Sequence, residues 1–389
     1  MASVDFDQAL DRSGTHTVKY DGRQDYFADE RVIPLWVADM DFAAPEAVTE
    51  ALIARAQHPV YGYTLFPDSM YAAMQAWFRR RHGWEIAREW ILMAPGVVPS
   101  LHAAVMAFSE PGDAIVVQPP VYFPFFSAVR KTGRRVVENP LRQEGGRYYM
   151  DLEHLEQCAR DGARMLILCS PHNPVGRVWE VQELQDMLAI AERYDMLVVS
   201  DEIHCDLVYV GARHQVTAGL THTPGRIITT VAPSKTFNIP GLGLSALVVE
   251  DAAQRKALQQ VFGSLNMVQS NPFSVTGFEA AYAGGEAWLD SLLVYLADTR
   301  DLIMETVARD LPGVRAIRPE GTYLCWLDFS ALGLSDAELQ QLLVKQAGVG
   351  LSVGHTFGHQ GSGFMRLNFA TPRARVLEAL SRIQQVLPR

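Results

Sequence analysis

Cysteine is scarce in this 389-residue sequence, and none of the four cysteines belongs to a CxxC pair. Cys158, Cys169, Cys205 and Cys325 are scattered along the chain. This usage is typical of a reduced intracellular protein and lacks the ligand spacing of a zinc site. We therefore expect neither a disulfide-stabilised secreted fold nor a bound metal.

Basic clusters and long hydrophobic runs are missing as well. The formal net charge is −10 and no basic run is present, which argues against a nucleic-acid partner. No uninterrupted apolar stretch reaches transmembrane length, and the N-terminus lacks the basic and apolar regions of a secretory signal. We expect a cytoplasmic protein without membrane association.

What is present describes an ordinary enzyme with a large core. Hydrophobic residues make up 48% of the chain and charged residues 20%. The length favours two lobes over one small domain. No internal repeat, low-complexity tract or long Gly/Ser linker marks a boundary between them.

The middle of the chain alternates short apolar runs with an amphipathic pattern. Leu184, Met187, Leu188 and Ala191 recur at helical spacing, which predicts a helix covering a sheet. Strand, helix and strand in this order indicate a parallel crossover. The sequence thus predicts an α/β fold whose large domain has a mostly parallel sheet flanked by helices, with strands at 114–118, 165–169, 196–200 and 227–231.

The C-terminal part follows a different pattern. Ser335 and Glu338 form a capping-box signature for a helix over 336–347. Residues 364–369 alternate as a strand, and Thr371 with Pro372 opens a last helix. We expect a smaller α+β domain built from both chain ends, with 1–50 and 290–389 in the small domain and 51–289 in the large one.

Three polar residues follow the predicted strands. Asn173, Asp201 and Lys235 each lie just beyond the end of one. Taken singly, they have simple explanations: a turn residue before a proline, a helix N-cap and a solvated lysine. In an open parallel sheet, however, the carboxyl ends of the strands share one crevice, where ligands bind. Their coincidence favours a common site.

An amide, a carboxylate and a lysine in one crevice suit a pyridine-based aldehyde cofactor. Lys235 can hold the aldehyde covalently and later act as the proton-transfer base. Asp201 can keep the ring nitrogen protonated, so that the ring withdraws electrons. Asn173 can donate a hydrogen bond to the phenolic oxygen of the ring.

Other segments could complete such a site. Gly96, Val97 and Val98 precede an apolar helical run, so their backbone could hold a phosphate, although taken alone they are better explained by a plain loop-to-helix turn. Ser234 could add a hydroxyl to the same phosphate. Tyr122 could stack on the ring, whereas the neighbouring phenylalanines at 123, 125 and 126 are expected to be packing residues. Arg366, on the polar face of a strand, suits capture of a substrate carboxylate or a surface ion pair.

Four stretches carry a resemblance to a known family: 35–42 (LWVADMDF), 61–64 (YGYT), 200–207 (SDEIHCDL) and 232–240 (APSKTFNIP). With them the chain resembles, over essentially its full length, the fold-type-I pyridoxal-phosphate enzymes of the class I/II aminotransferase superfamily. Within that superfamily it is most similar to the MalY/PatB group of cystathionine β-lyases, also called carbon–sulfur lyases.

The resemblance implies a role for each candidate residue. Lys235 would bind the cofactor pyridoxal 5'-phosphate covalently, Asp201 would pair with its pyridine nitrogen, and Asn173 would contact its phenolic oxygen. The other implied contacts are Tyr122 with the ring, Arg366 and Ala38 with the substrate, and Gly96, Val97, Val98 and Ser234 with the phosphate. Tyr63 would reach the phosphate of the partner subunit, which implies a homodimer.

Three positions depart from the wider aminotransferase pattern. His204 stands where many relatives have Tyr, Ala232 where they have Ser, and Gly243 where they have a phosphate-binding Arg. Phosphate binding is therefore expected to rely on backbone N–H groups and Tyr63. His204 either contacts the phenolic oxygen or packs as a neutral core histidine.

The resemblance implies an enzyme that eliminates a thiol from sulfur-containing L-amino acids to give pyruvate and ammonia, as in methionine biosynthesis. A class I/II aminotransferase is the alternative, since the same crevice could return the proton to the cofactor. A regulatory protein partner is a further alternative, although the sequence identifies no surface for it.

Overall fold

Fifteen strands are found in the computed structural model, which describes residues 5–221, 223, 225–267 and 271–388. They are β1 Ile33–Pro34, β2 Ile91–Ala94, β3 Ala114–Val117, β4 Arg135–Glu138, β5 Arg142–Glu144, β6 Arg147–Tyr149, β7 Met165–Cys169, β8 Leu197–Asp201, β9 Ile227–Val231, β10 Ser245–Val248, β11 Arg315–Ile317, β12 Leu324–Asp328, β13 Val349–Gly350, β14 Ser352–Val353 and β15 Phe364–Asn368.

The described residues also form fourteen α-helices. They are α1 Val18–Asp21, α2 Arg23–Phe27, α3 Glu46–Gln57, α4 Asp68–His82, α5 Val97–Phe108, α6 Pro124–Arg130, α7 Leu152–Arg160, α8 Val181–Arg193, α9 Pro233–Thr236, α10 Ala252–Ser264, α11 Pro272–Gly284, α12 Glu286–Asp310, α13 Asp336–Gln341 and α14 Arg373–Val386. No helix among these residues is both long and apolar enough to cross a bilayer.

A seven-stranded sheet forms the centre of the molecule, in the order β2-β10-β9-β8-β7-β3-β4. Only β10 runs antiparallel to its neighbours, so the sheet is mostly parallel, as predicted. Strands β3, β7 and β9 are buried throughout because helices cover both faces. That double burial explains why these strands appear in the sequence as continuous apolar runs.

A smaller antiparallel sheet has the order β11-β12-β15-β14. The N-terminal segment joins this part of the chain, because β1 pairs in parallel with β13. Ion pairs of the buried Asp41 add to the connection, since this carboxylate lies 3.0 Å from Lys19, 2.7 Å from Arg12 and 3.2 Å from Arg375. These contacts support a small domain built from both chain ends. Its boundaries at 50 and 290 remain predictions, and α12 runs continuously across the second one.

Local signals in the C-terminal part correspond closely to the structure. The capping box of Ser335 and Glu338 is formed, but the predicted helix 336–347 is α-helical only to Gln341 and continues as a π-helix over Leu342–Ala347. The predicted strand ends one residue early, at Asn368. Pro372 is the N-cap of α14 and therefore precedes its first turn.

Candidate active site

The carboxyl edge of the large sheet opens into a cavity of about 260 Å³. Strands β2, β3, β7, β8 and β9 all run toward this edge, so the loops that follow them converge there. Ten predicted site residues line the cavity: Ala38, Gly96, Val97, Val98, Tyr122, Asn173, Asp201, His204, Ser234 and Lys235.

Lys235 lies in the short helix α9, directly after β9. Its Nζ donates a hydrogen bond of 2.5 Å to the Ala38 carbonyl, and its side chain is partly buried where it faces the cavity. Burial lowers the pKa of Lys235 to about 8, opposed by the negative charges of Asp39 and Asp201. A fraction of this amine is therefore neutral near neutral pH, as a nucleophile or base requires.

Asp201 is the last residue of β8, whereas the sequence predicted it to lie one residue beyond the end of that strand. Its Oδ1 accepts a hydrogen bond of 3.1 Å from the Ile203 N–H. Among the described residues no helix begins directly after it, so the N-cap explanation is wrong. Burial raises the pKa of Asp201 to about 7, and the adjacent Glu202 charge adds to this effect. A cationic N–H in the cavity would stabilise the ionised form.

His204 is buried beside the same cavity, and its ring forms a T-shaped pair with the ring of Tyr323. Burial lowers the pKa of His204 to about 3, helped by the charges of Lys235 and Arg366, so the ring is neutral. Its Nδ1 is buried and makes no hydrogen bond within the described part of the chain. His204 therefore packs as a neutral buried histidine, and its contact with the phenolic oxygen of a cofactor stays a prediction.

Arg366 is buried on β15, and the surface ion pair considered for it is wrong. Its Nη1 donates to Asn173 Oδ1 at 3.0 Å, and its Nη2 donates to the Trp36 carbonyl at 2.9 Å and to Ser352 Oγ at 3.1 Å. Nε has no partner among the described residues. Three of five N–H donors are used, which leaves the Nε–H and one N–H of Nη1 without a partner among the described residues.

The N-terminus of helix α5 borders the cavity. Gly96 is its N-cap and Val97 its first residue. The first N–H groups of a helix have no partner within the helix, and Pro99 has no N–H at all. The N–H groups of Val97 and Val98 are therefore the donors that α5 offers to an anion. Lys235 is the only cationic side chain among the described residues that line this cavity.

Tyr63 is the one predicted cofactor contact that does not lie in this cavity. It is 94% exposed. The position of the missing arginine, Gly243, has φ +55, a left-handed backbone that favours glycine over arginine. Within one chain, Tyr63 therefore does not supply its hydroxyl to the cavity, and Gly243 supplies no charge.

A polar network lies behind the lysine turn. Asp206 accepts hydrogen bonds from Trp77 Nε1 at 3.0 Å and Thr236 Oγ1 at 2.9 Å, and its Oδ1 lies 2.7 Å from His82 Nε2. His82, Cys205 and Asp206 hold possible metal-ligand atoms within 4.8 Å of one another. Both carboxylate oxygens of Asp206 already accept hydrogen bonds, so the cluster is explained as a support for Thr236 and the turn that carries Lys235.

A second cavity, of about 480 Å³, also borders Lys235. It shares Ala38, Tyr122 and Lys235 with the first cavity and also contains Arg366. Its wall includes four aromatic residues that sequence reasoning missed as site residues: Tyr26, Phe27, Trp36 and Phe123. Phe125 and Phe126 are buried as predicted, whereas Phe123 is 50% exposed and faces this cavity.

The first cavity fits a pyridine aldehyde phosphate. It is lined by Lys235 with a lowered pKa, by Asp201 with a raised pKa and by His204, whose Nδ1 has no partner among the described residues. The donors at the start of α5 and Ser234 lie along its wall. Because these polar groups are incompletely satisfied inside the chain, a ligand of matching polarity would compensate them.

Comparison with known proteins gives a consistent result. The family described as aminotransferase class I and II matches residues 30–383. Cystathionine beta-lyase PatB of Bacillus subtilis (strain 168) is 43% identical over 386 residues, which cover 99% of this chain and 100% of the relative.

Solved structures agree with this result. A PLP-bound putative aminotransferase from Clostridium difficile 630 superposes with a TM-score of 0.97 at 38% identity, covering 99% of this chain and 100% of the other. The PLP-bound C-S lyase from Staphylococcus hominis superposes with a TM-score of 0.92 at 31% identity, covering 99% and 98%. The shared fold thus extends over the whole chain.

Proposed function

Since the chain belongs to the aminotransferase class I and II family, we propose how its residues carry out the reaction of its lyase relatives. The protein is a pyridoxal-phosphate-dependent carbon–sulfur lyase that acts on sulfur-containing L-amino acids. The observation that carries this conclusion is Lys235, which has a lowered pKa and lines both cavities, as cofactor attachment and proton transfer require.

The first cavity would hold the cofactor. Lys235 would be the attachment point and Asp201 would pair with the pyridine nitrogen, while Asn173 and His204 are assigned as donors to the phenolic oxygen. The phosphate is assigned to the N–H groups of Val97 and Val98 and to the Ser234 hydroxyl. Tyr122 borders both cavities and can cover the ring.

Substrate binding is assigned to Arg366 and Ala38. The positive charge of Arg366 and its remaining Nη1 N–H receive the α-carboxylate, and the contacts with Asn173, Trp36 and Ser352 fix the guanidinium plane. Such charge-assisted pairing orients Cα relative to Lys235. Ala38 already places its carbonyl against Lys235 Nζ.

The proton transfers are carried by Lys235. Bound pyridoxal phosphate withdraws electrons from the Cα of an attached amino acid. The neutral Nζ of Lys235 takes the α-proton, the Cβ–S bond breaks, and the resulting ammonium returns a proton to the leaving sulfur. Burial raises the pKa of Tyr122, which keeps its phenol protonated beside this path. Water then converts the released enamine to pyruvate and ammonia.

The functional unit is proposed to be a homodimer. Lys235 is the only cationic side chain among the described residues that line the cavity, so a hydroxyl from a partner subunit would help to hold a phosphate dianion, and Tyr63 is 94% exposed. The four cysteines are free and buried, which suits the proposed location in the cytoplasm. A role in methionine biosynthesis would follow if cystathionine is the physiological substrate.

The test is pyruvate release without a keto acid. The purified protein with pyridoxal phosphate should convert cysteine S-conjugates to pyruvate, and Lys235→Ala should lower the rate at least about 1,000-fold. Lys256→Ala, at an exposed lysine of α10, is the matched control and should keep full activity. Turnover that needs a keto-acid acceptor would indicate the aminotransferase alternative.

A further inference from the structure

The second cavity, beyond Lys235, is apolar and is connected to the proposed catalytic site. We propose that it receives the leaving group, and that the enzyme prefers cysteine S-conjugates with an uncharged apolar substituent to those with a charged one such as cystathionine. This inference rests on the proposed lyase function and names the substrate class of the same site.

The orientation of the substrate follows from the residues that the cavities share. Lys235, Tyr122 and Ala38 border both, whereas Arg366 faces only the second cavity. With the α-carboxylate on Arg366 and Cα at Lys235, the cofactor side is occupied. The substituent on sulfur therefore has to extend into the rest of the second cavity. Its volume of about 480 Å³ is sufficient, since small-ligand sites span roughly 300–1,000 Å³.

The wall of this space comes from distant parts of the chain. Tyr26, Phe27 and Trp36 come from the N-terminal segment, Phe123 from the loop after β3, and Val353 from β14. Trp36 is fixed by a hydrogen bond of 3.1 Å from its Nε1 to the Lys19 carbonyl. Aromatic and aliphatic surfaces of this kind gain free energy when an apolar group leaves water.

No acidic residue lines the second cavity among the described residues. Two acidic residues adjoin lining residues along the chain. Asp39 follows Ala38, and its two oxygens accept hydrogen bonds from Arg12 at 3.3 and 2.7 Å. Asp25 precedes Tyr26 and is exposed to solvent. A distal ammonium on the substrate would lose water without gaining a carboxylate. Burial of an unpaired charge is unfavourable, so a charged substituent is penalised relative to an apolar one of the same size.

The test uses substrates that differ only at the far end of the substituent. S-propyl-L-cysteine and S-(2-aminoethyl)-L-cysteine exchange a methyl for an ammonium, and L-cystathionine adds an amino-acid head to the propyl chain. The ammonium lowers the pKa of the departing thiol, so intrinsic leaving ability favours the charged substrates. A preference for the propyl compound must therefore originate in the pocket.

We expect kcat/KM for S-propyl-L-cysteine to exceed that for each charged substrate by at least about tenfold. Gln340→Glu then tests the cause, because Gln340 lines this cavity and the change adds a carboxylate with little change in shape. It should raise the ratio of kcat/KM for the aminoethyl substrate to that for the propyl substrate several-fold. Gln341→Glu, on the same helix but exposed and outside the cavity, should leave the ratio unchanged.

The outcomes separate the two proposals. Pyruvate from all three substrates with equal or higher kcat/KM for the charged ones overturns the apolar-pocket inference and leaves the lyase function intact. A Gln340→Glu ratio that matches the Gln341→Glu ratio also overturns it. No pyruvate from any of the three overturns the proposed function itself.

Discussion

Single residues in this site have pKa values that their surroundings shift in opposite directions. Burial favours the neutral form of both Lys235 and Asp201, so the pKa of the lysine falls and that of the carboxyl group rises. Each shift disfavours an ion in the cofactor-free protein. Each shift is also useful to the proposed reaction. The neutral amine of Lys235 can attack an aldehyde, and the Asp201 carboxyl group would ionise again once a cationic pyridine N–H lies beside it.

The reactivity of Lys235 should follow its lowered pKa. In the cofactor-free protein, the rate of attachment of pyridoxal phosphate should rise with pH and level off above a midpoint near 8. Visible absorbance after rapid mixing at a series of pH values measures this rate. Free N-acetyl-lysine is the reference, and its rate of attachment should have a midpoint at about pH 10.4. A midpoint at that higher value in the protein would contradict the burial argument.

Replacing Asp201 should increase stability while abolishing function. Since its pKa is raised from 3.8 to about 7, the folded state holds a proton that the unfolded state releases, and stability falls as pH rises between these values. Asp201→Asn removes this dependence. Between about pH 5.5 and 8, the cofactor-free wild type should lose about 2 kcal/mol relative to the variant. Urea unfolding at both pH values measures it, and an equal loss in both proteins would contradict it.

At the scale of elements, the turn that carries Lys235 depends on a side chain from another loop. Asp206, after β8, accepts from Thr236 on α9 and from Trp77 on α4. The Asp206 carboxylate thus connects the loop after β8 with the short helix α9, which carries Lys235, and with helix α4. Because it is fully buried, its removal would leave these donors unsatisfied.

Asp206→Ala should therefore destabilise the protein by about 3–5 kcal/mol, the usual effect of removing one partner from a buried charged network. Denaturant unfolding with circular dichroism measures the change. Cofactor retention should also decrease, since α9 loses its support. Glu305→Ala, at an exposed position of α12, is the control and should stay within about 0.5 kcal/mol. A similar small effect at position 206 would show that the network is not structural.

At the scale of the whole molecule, the proposed dimer makes each active site a product of two chains. Lys235 lies in the cavity and Tyr63 lies on the exposed surface of the same chain. If Tyr63 serves the partner subunit, then defects at the two positions belong to different sites. Complementation between inactive variants tests this arrangement directly.

Lys235→Ala and Tyr63→Ala should each be nearly inactive alone and recover activity when mixed after dissociation. Half of a random mixture is heterodimer, and each heterodimer has one intact site, so about a quarter of wild-type activity is expected. Pyruvate release before and after mixing measures the recovery. The control mixes Lys235→Ala with Asp201→Asn. Each of these residues lines the cavity of its own chain, so every site of the heterodimer has one defect and no activity should be recovered. Equal values for the two mixtures would contradict a shared site.

Much of the fold could be predicted because its signals are local. The strands Met165–Cys169 and Ile227–Val231 have the predicted bounds, since both are apolar runs buried on two faces and bounded by polar or proline-rich loops. The π-helical end at Leu342–Ala347 could not be predicted, because nothing in the capping box at Ser335 specifies how the far end packs.

The sequence by itself determined that Asn173, Asp201 and Lys235 meet, because parallel strands bring their carboxyl ends to one edge. Only the tertiary structure decided what surrounds them. The Ala38 carbonyl at Lys235 comes from a segment about 200 residues away, and the apolar cavity combines Trp36, Phe123 and Val353. The pKa shifts also arise there, since desolvation depends on every chain segment that excludes water, and no local pattern encodes it.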